Sequence, residues 1–188
     1  RNYFLVGFPN ENSHRVNKRD HVVPLEDWVF PIKFSSSRMG RRLGKGASFI
    51  DIFSRIYTRA RLGALPKNIE MRPAPKFEKD FPLHTDLIHG VRSAAYLNWR
   101  FIDNPIRTYS TYEFFENGQS IGYCVYLGSG AGAEIYDFIC SRRQKECFRL
   151  LVEHCRSNRI SYLNFRGANL RLSRLGFIRR KSSEDCIV

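Results

Sequence analysis

No apolar run in the 188 residues comes near the roughly 18 to 20 that a membrane-spanning helix needs, and no secretory leader opens the sequence. A soluble chain is the expectation. The first residue is Arg1 and not Met, at the head of what reads as a strand, so a piece of something longer is expected. Cysteine offers no framework: Cys124, Cys140, Cys147, Cys155 and Cys186 are odd in number, form no CxxC pair and mostly sit among apolar neighbours. Reduced core thiols in a cytoplasmic setting follow, rather than a disulfide frame or a zinc site. Histidine supplies no metal spacing either, because His14, His21, His84, His89 and His154 include no HExxH. His154 beside Cys155 on a helix reads as packing rather than as a cysteine nucleophile pair. None of the common RNA- and DNA-binding signatures is present.

What is present is enough apolar material, 43% hydrophobic and 14% aromatic, to bury a core in one domain with appendages. The net charge of +13 is uneven: residues 33–79 hold twelve basic and three acidic side chains, while residues 1–32 balance. That stretch is either a solvated connector or a grip on nucleic acid or another anionic surface.

Taken in order, Tyr3-Phe4-Leu5-Val6-Gly7-Phe8 reads as a buried strand and Pro9-Asn10-Glu11-Asn12-Ser13 as its turn and helix cap. A short polar helix over residues 14–20 and β-prone runs at 21–25 and 28–32 complete a small piece with no sheet of its own. Residues 35–45 read as a linker. Residues 47–62 follow as a basic amphipathic helix, with Phe49, Ile50, Phe53, Ile56 and Tyr57 at helical spacing. Prolines then keep the chain extended as far as Pro82. Residues 85–101 form a helix carrying Leu87, Ile88, Val91, Ala95 and Trp99, where core packing is the default for Trp99 and solvent or an ion pair for Arg100. Residues 109–115 and 121–127 form a hairpin about Asn117-Gly118. Gly128, Gly130 and Gly132 are its flexible exit, preceding a strand and not a helix.

Residues 133–165 read as strand, helix, strand. Residues 134–140 are a central strand, with Ile135 and Ile139 on one face and Tyr136 and Phe138 on the other. Phe148, Leu151, Val152 and Cys155 line one face of the helix, and 160–165 is the second strand. Asp137, alone in an apolar strand, needs a partner if buried; Arg142, Arg100 or a backbone amide are the candidates, and a structural role outweighs that of a general base. Residues 167–174 form a short helix, Leu175-Gly176-Phe177 its exit, and Ile178 and 186–188 the last strands.

This order resembles the GNAT acyltransferase fold: α/β, with a mixed central sheet flanked by helices on both faces. Tyr96-Leu97-Asn98-Trp99-Arg100-Phe101 with Asn104-Pro105 and Tyr109, and Leu175-Gly176-Phe177, resemble proteins carrying two GNAT-type domains in tandem. Gly7-Phe8-Pro9-Asn10-Glu11-Asn12-Ser13 matches the segment that often closes the first of them. The resemblance implies that residues 1–34 end a first GNAT-like domain, that 35–82 form a basic linker with one amphipathic helix, and that 83–188 are a second GNAT-like domain. It implies acetyl-CoA or another acyl-CoA as cofactor, no metal, and acyl transfer to an amine acceptor that the sequence does not identify.

In the family, an Arg/Gln-x-x-Gly-x-Gly/Ala turn after the central strand lets backbone amides close on the pyrophosphate. Here Arg142-Arg143-Gln144-Lys145-Glu146-Cys147 lacks both glycines, so Arg142 and Arg143 stand as cofactor-binding candidates by charge alone. Asn169 stands with them as the family's short-helix asparagine, but no tyrosine follows before Gly176 to protonate a leaving thiolate. No catalytic residue is assigned. Arg41-Arg42-Leu43-Gly44-Lys45-Gly46 fits the turn pattern by letters without a strand before it, and a basic linker is its alternative reading. The implied role is a degenerate second domain, inactive alone, whose partner is a first GNAT domain upstream carrying the functional turn.

Overall fold

Side chains alternating between two buried layers organise the computed structural model, which describes residues 26–33, 47–81, 92–167 and 172–180. Along the chain come β1 (Glu26–Pro31), α1 (Ala47–Leu62), β2 (Ile69–Pro73) and a short α2 (Ala94–Leu97) that runs into a π-helical turn over Asn98–Ile102. Then follow β3 (Ser110–Glu116), β4 (Gln119–Ser129), β5 (Gly132–Cys140), α3 (Gln144–Ser157), β6 (Tyr162–Gly167), a 3-10 turn over Leu172–Leu175 and β7 (Ile178–Arg180).

The strands make one mixed sheet in the order β2-β3-β4-β5-β6-β1-β7. Asn117 and Gly118, at φ 51° and 77°, close the β3–β4 hairpin with the mirror-image turn that matches strand twist, as the sequence predicts. α3 crosses between β5 and β6, the parallel pair, and all other pairings are antiparallel. β1, from the far end of the chain, lies between β6 and β7, with Trp28 opposite Phe165 and Phe30 opposite Leu163. Ile69–Pro73, expected only as extended chain, is the edge strand β2, and its proline sits at the strand end where a missing amide costs least.

One face of the sheet carries α1, α3 and the 3-10 turn over a core in which Phe30 meets Phe148 and Phe177 edge-on, at 5.2 and 5.7 Å. The other carries α2 and the π turn over Phe77, Phe81, Tyr123, Val125 and Ile139. This is the mixed α/β architecture, helices on both faces, that the sequence led us to expect.

Three expectations need correction. In β5 the residues do not alternate as predicted: Ile135 and Phe138 share the α3 face, while Tyr136 and Ile139 share the other. A β-bulge is the reason, since Val125 pairs with Asp137 and Tyr126 with Ile135, leaving Tyr136 as the extra residue that shifts the phase. Trp99 is not core but 68% exposed. The Asn98 side chain clamps the backbone of Phe77, accepting from its N–H at 2.8 Å and donating to its C=O at 2.9 Å, and the π turn rotates Leu97 and Phe101 inward in place of the indole. In α1 the apolar side chains Ile52, Phe53 and Ile56 face outward, and Ser54, Thr58 and Leu62 are buried instead. The small hydroxyls bond back to the helix carbonyls of Asp51 and Ser54, which lets α1 pack close to α3.

The predicted strand at residues 3–8, the helix at 14–20, the run at 21–25, the linker and its Arg41–Gly46 motif, the helix residues 85–91 and residues 186–188 all lie outside the described residues.

Candidate functional site

β5 ends at Cys140 and α3 begins at Gln144, so the intervening Ser141-Arg142-Arg143 turn sets what the helix N-terminus faces. Ser141 is fastened to the Ile121 carbonyl by its N–H at 2.9 Å and its Oγ at 3.0 Å. Arg143 then adopts φ 56°, ψ 34°, a left-handed conformation that favours glycine, and starts the helix by accepting from Cys147 N–H. Arg143 gives no side-chain cap, so the amides of the first turn lack a side-chain acceptor from the cap position. Only Glu146 brings negative charge to that turn.

Both arginines singled out by the sequence are here, and both turn to the same carboxylate. Arg142 Nε lies 2.9 Å from Glu116 Oε2 and Arg143 Nε 3.3 Å from Oε1, while Asn68 donates to Oε1 at 3.3 Å. Glu116, at the end of β3, is 8% exposed and pairs with both guanidiniums, whose side chains stay half-exposed on the turn. Arg143 Nη1 also reaches Glu146 at 3.4 Å. Lys145 and Cys147 occupy the positions where the family pattern has glycine, glycine or alanine. The turn as it stands does not fit a pyrophosphate cradle, because the Glu116 carboxylate already holds both cations that would meet the anion. Asn169 lies outside the described residues, so the structure does not join it to Arg142 and Arg143.

β5 pairs with β6 from Gly132, opposite Tyr162, to Ile135, opposite Phe165, and among the described residues Tyr136 to Cys140 has its ladder partners on β4. Asp137, in this half of β5, is bonded neither to Arg142 nor to Arg100. Its Oδ2 accepts from Arg92 Nε at 3.0 Å and from Tyr123 O–H at 2.8 Å. Burial works against the charge on Arg92, but Asp137 outweighs it and raises the guanidinium pKa; the Tyr123 pKa is also raised, by burial first and then by Asp137. Asp137 is thus an anchor between β4, β5 and the segment before α2, not a free base. Sequence reasoning missed Arg92, Tyr123 and Glu116, since each joins its partner only through the sheet.

His154 faces β3 and β4 from α3. Tyr126 O–H and Asn158 Nδ2 lie 3.1 and 3.2 Å from its Nε2, and burial lowers its pKa. Cys155 points into the core, where burial pushes its thiol up to about 12, so the two form no nucleophile pair. Cys124, Cys140 and Cys147 are free thiols as well. Among the described residues no three His, Cys, Asp or Glu side chains come together as a metal site, and no helix is long and apolar enough to cross a membrane. The glycine run ends in the β4–β5 turn, with Gly130 at φ 55° and Gly132 packed under the Tyr162 ring, so it binds no phosphate at a helix start.

On the face away from α3, a shallow pocket is lined by Asp27, Val29, Glu134, Asn164, Phe165 and Arg180. Within it Asn164 Oδ1 is buried without a hydrogen-bond donor among the described residues.

No protein-family model matches the chain, and no curated protein matches it by sequence. Among solved structures it is similar to a functionally unknown conserved protein from Staphylococcus epidermidis ATCC 12228, with a TM-score of 0.53 at 8% identity over 93% of this chain and 65% of that one. It is also similar to a GCN5-related N-acetyltransferase-like protein from Streptococcus suis 89/1591, with a TM-score of 0.42 at 12% identity over 92% of this chain and 66% of that one. The chain spans a little under two thirds of each. At such identities the first likeness is one of fold alone.

Proposed function

We propose that this chain is the degenerate second domain of a tandem GNAT-like acyltransferase, in which a domain upstream binds acyl-CoA and transfers the acyl group to an amine. The observation that carries this reading is the pairing of Arg142 and Arg143 with the buried Glu116 at the β5–α3 turn, beside a strand–helix–strand crossover that is present. Such a domain supports the reaction from the acceptor side. The pocket lined by Asp27, Glu134, Asn164 and Arg180 holds the Asn164 Oδ1 and the Glu134 carboxylate as acceptor atoms of the kind an amine group seeks. The free thiols at Cys124, Cys140, Cys147 and Cys155 are in keeping with a reducing, cytoplasmic setting.

Titration calorimetry with CoA tests this. A version extended upstream is expected to bind, and this chain alone is expected to give no heat. Tight binding by this chain would overturn the reading.

A further inference from the structure

α1 packs in the reverse of the usual sense for a surface helix, with small polar side chains inward and large apolar ones outward. Ser54 and Thr58 are buried at 1% and 0% exposure, whereas Ile52, Phe53 and Ile56 are exposed to 53%, 65% and 57%. The rotation of the helix is fixed from its inner side. Tyr57 O–H donates to the Gly176 carbonyl at 2.6 Å, and Arg156 Nη2 donates to Thr58 Oγ1 at 3.2 Å. Rolling the apolar side chains under would break both bonds, so they are held outward.

At about 100° per residue, Arg55, Arg59, Ile52, Ile56 and Phe53 follow one another around a single outward arc of about 160°. All five are exposed. The arc has two positive charges and no negative one, because Asp51, the one acidic residue of α1, falls on the same side of the helix as Thr58. A second copy of this helix laid against it would bring four guanidiniums and no carboxylate to the seam. Residues 33–79, which contain α1, hold twelve basic and three acidic side chains, so the field around the arc is positive as well. An apolar arc bordered by arginine suits a helix lying in the headgroup region of a bilayer, its apolar side chains inserted and its guanidiniums reaching up to lipid phosphates.

We propose that the outward face of α1 is a docking surface for an anionic bilayer, with Ile52, Phe53 and Ile56 inserted below the headgroups and Arg55 and Arg59 on the lipid charges. The contact is peripheral, since no helix among the described residues is long and apolar enough to cross a membrane. Ser54, Thr58 and Leu62 keep α1 on the domain while its other side meets the lipid. The surface goes beyond the acyl-transfer reading and uses neither the β5–α3 turn nor the pocket at Asn164.

Co-sedimentation with vesicles tests this, using phosphatidylcholine alone and phosphatidylcholine mixed with phosphatidylglycerol. The native chain is expected to bind the mixed vesicles and to stay in solution with phosphatidylcholine alone. F53S/I56S is expected to bind the mixed vesicles about a hundredfold more weakly, and R55Q/R59Q about thirtyfold. Both variants keep the native unfolding midpoint, because all four positions are exposed. K67Q/K76Q removes the same charge at exposed positions off the arc and is expected to bind within about threefold of the native chain. Failure of the mixed vesicles to capture the native chain overturns the proposal. So does capture that F53S/I56S leaves intact, which would make the contact one of charge alone, or capture that K67Q/K76Q weakens as much as R55Q/R59Q. A dimer in sedimentation velocity that F53S/I56S abolishes would give the face to a second copy and overturn it too.

Discussion

At the scale of single residues, Glu116 decides the character of the β5–α3 turn. Its carboxylate holds Arg142, Arg143 and Asn68 at once, so Glu116→Gln leaves Arg142 without its counter-charge and Arg143 with Glu146 alone. Because both arginines are half-exposed, solvent screens much of the loss, and the expected cost is about 1–2 kcal/mol in urea unfolding. No change would mean that the guanidiniums are not held there.

His154 gives a pH signature. Its folded pKa lies below the ordinary 6.5, so the unfolded chain takes up the proton first. The stability it contributes is complete above about pH 6.5 and falls as the pH drops below that value. His154→Gln keeps an acceptor for Tyr126 O–H and is expected to flatten the decline between about pH 7 and pH 5. An unchanged slope would remove His154 from the account.

At the scale of elements, α1 shows what periodicity can and cannot reveal. The helix itself is legible from its spacing, but its inward face is not, since Ser54 and Thr58 are buried by what α3 and Arg156 present to them. Hence Phe53→Ser and Ile56→Ser are expected to leave unfolding free energy within about 0.5 kcal/mol, and Leu62→Ala to cost about 2–5 kcal/mol. The reverse order would mean that the apolar face packs inward after all. The β3–β4 hairpin was fully legible because its signal is local: Asn117 and Gly118 accept positive φ with little strain. Gly118→Ala, at φ 77°, is expected to cost about 1 kcal/mol. Nothing local announces the bulge at Tyr136, the Arg92–Asp137 pair or the grip of Glu116 on two arginines. Each depends on which strand lies alongside, so the candidate site was legible in its position and not in its chemistry.

At the scale of the molecule, the sheet is joined through its most distant strand. β1 pairs with β6 on one side and β7 on the other, and Phe30 is fully buried against Phe148 and Phe177. A chain beginning after β1 is expected to lose the cooperative unfolding transition and to bind hydrophobic dye, since the flanks of β6 and β7 become open edges. A sharp transition in that truncated chain would show that the sheet closes without β1. The crossover of β5, α3 and β6 was readable because it is contiguous, whereas the place of β1 could not be read, because periodicity marks a strand without naming its neighbours.

The insertion of β1 also bears on how the protein is made. Pro31 pairs with Tyr162 and Glu26 with Gly167, so β1 leaves the ribosome long before the strands that enclose it exist. During that interval Trp28 and Phe30 lack the strands that flank them in the finished sheet, which completes from the C-terminal side by taking β1 in between β6 and β7. Emergence of β6 and β7, and not of β1 itself, is then the event that lets this sheet close.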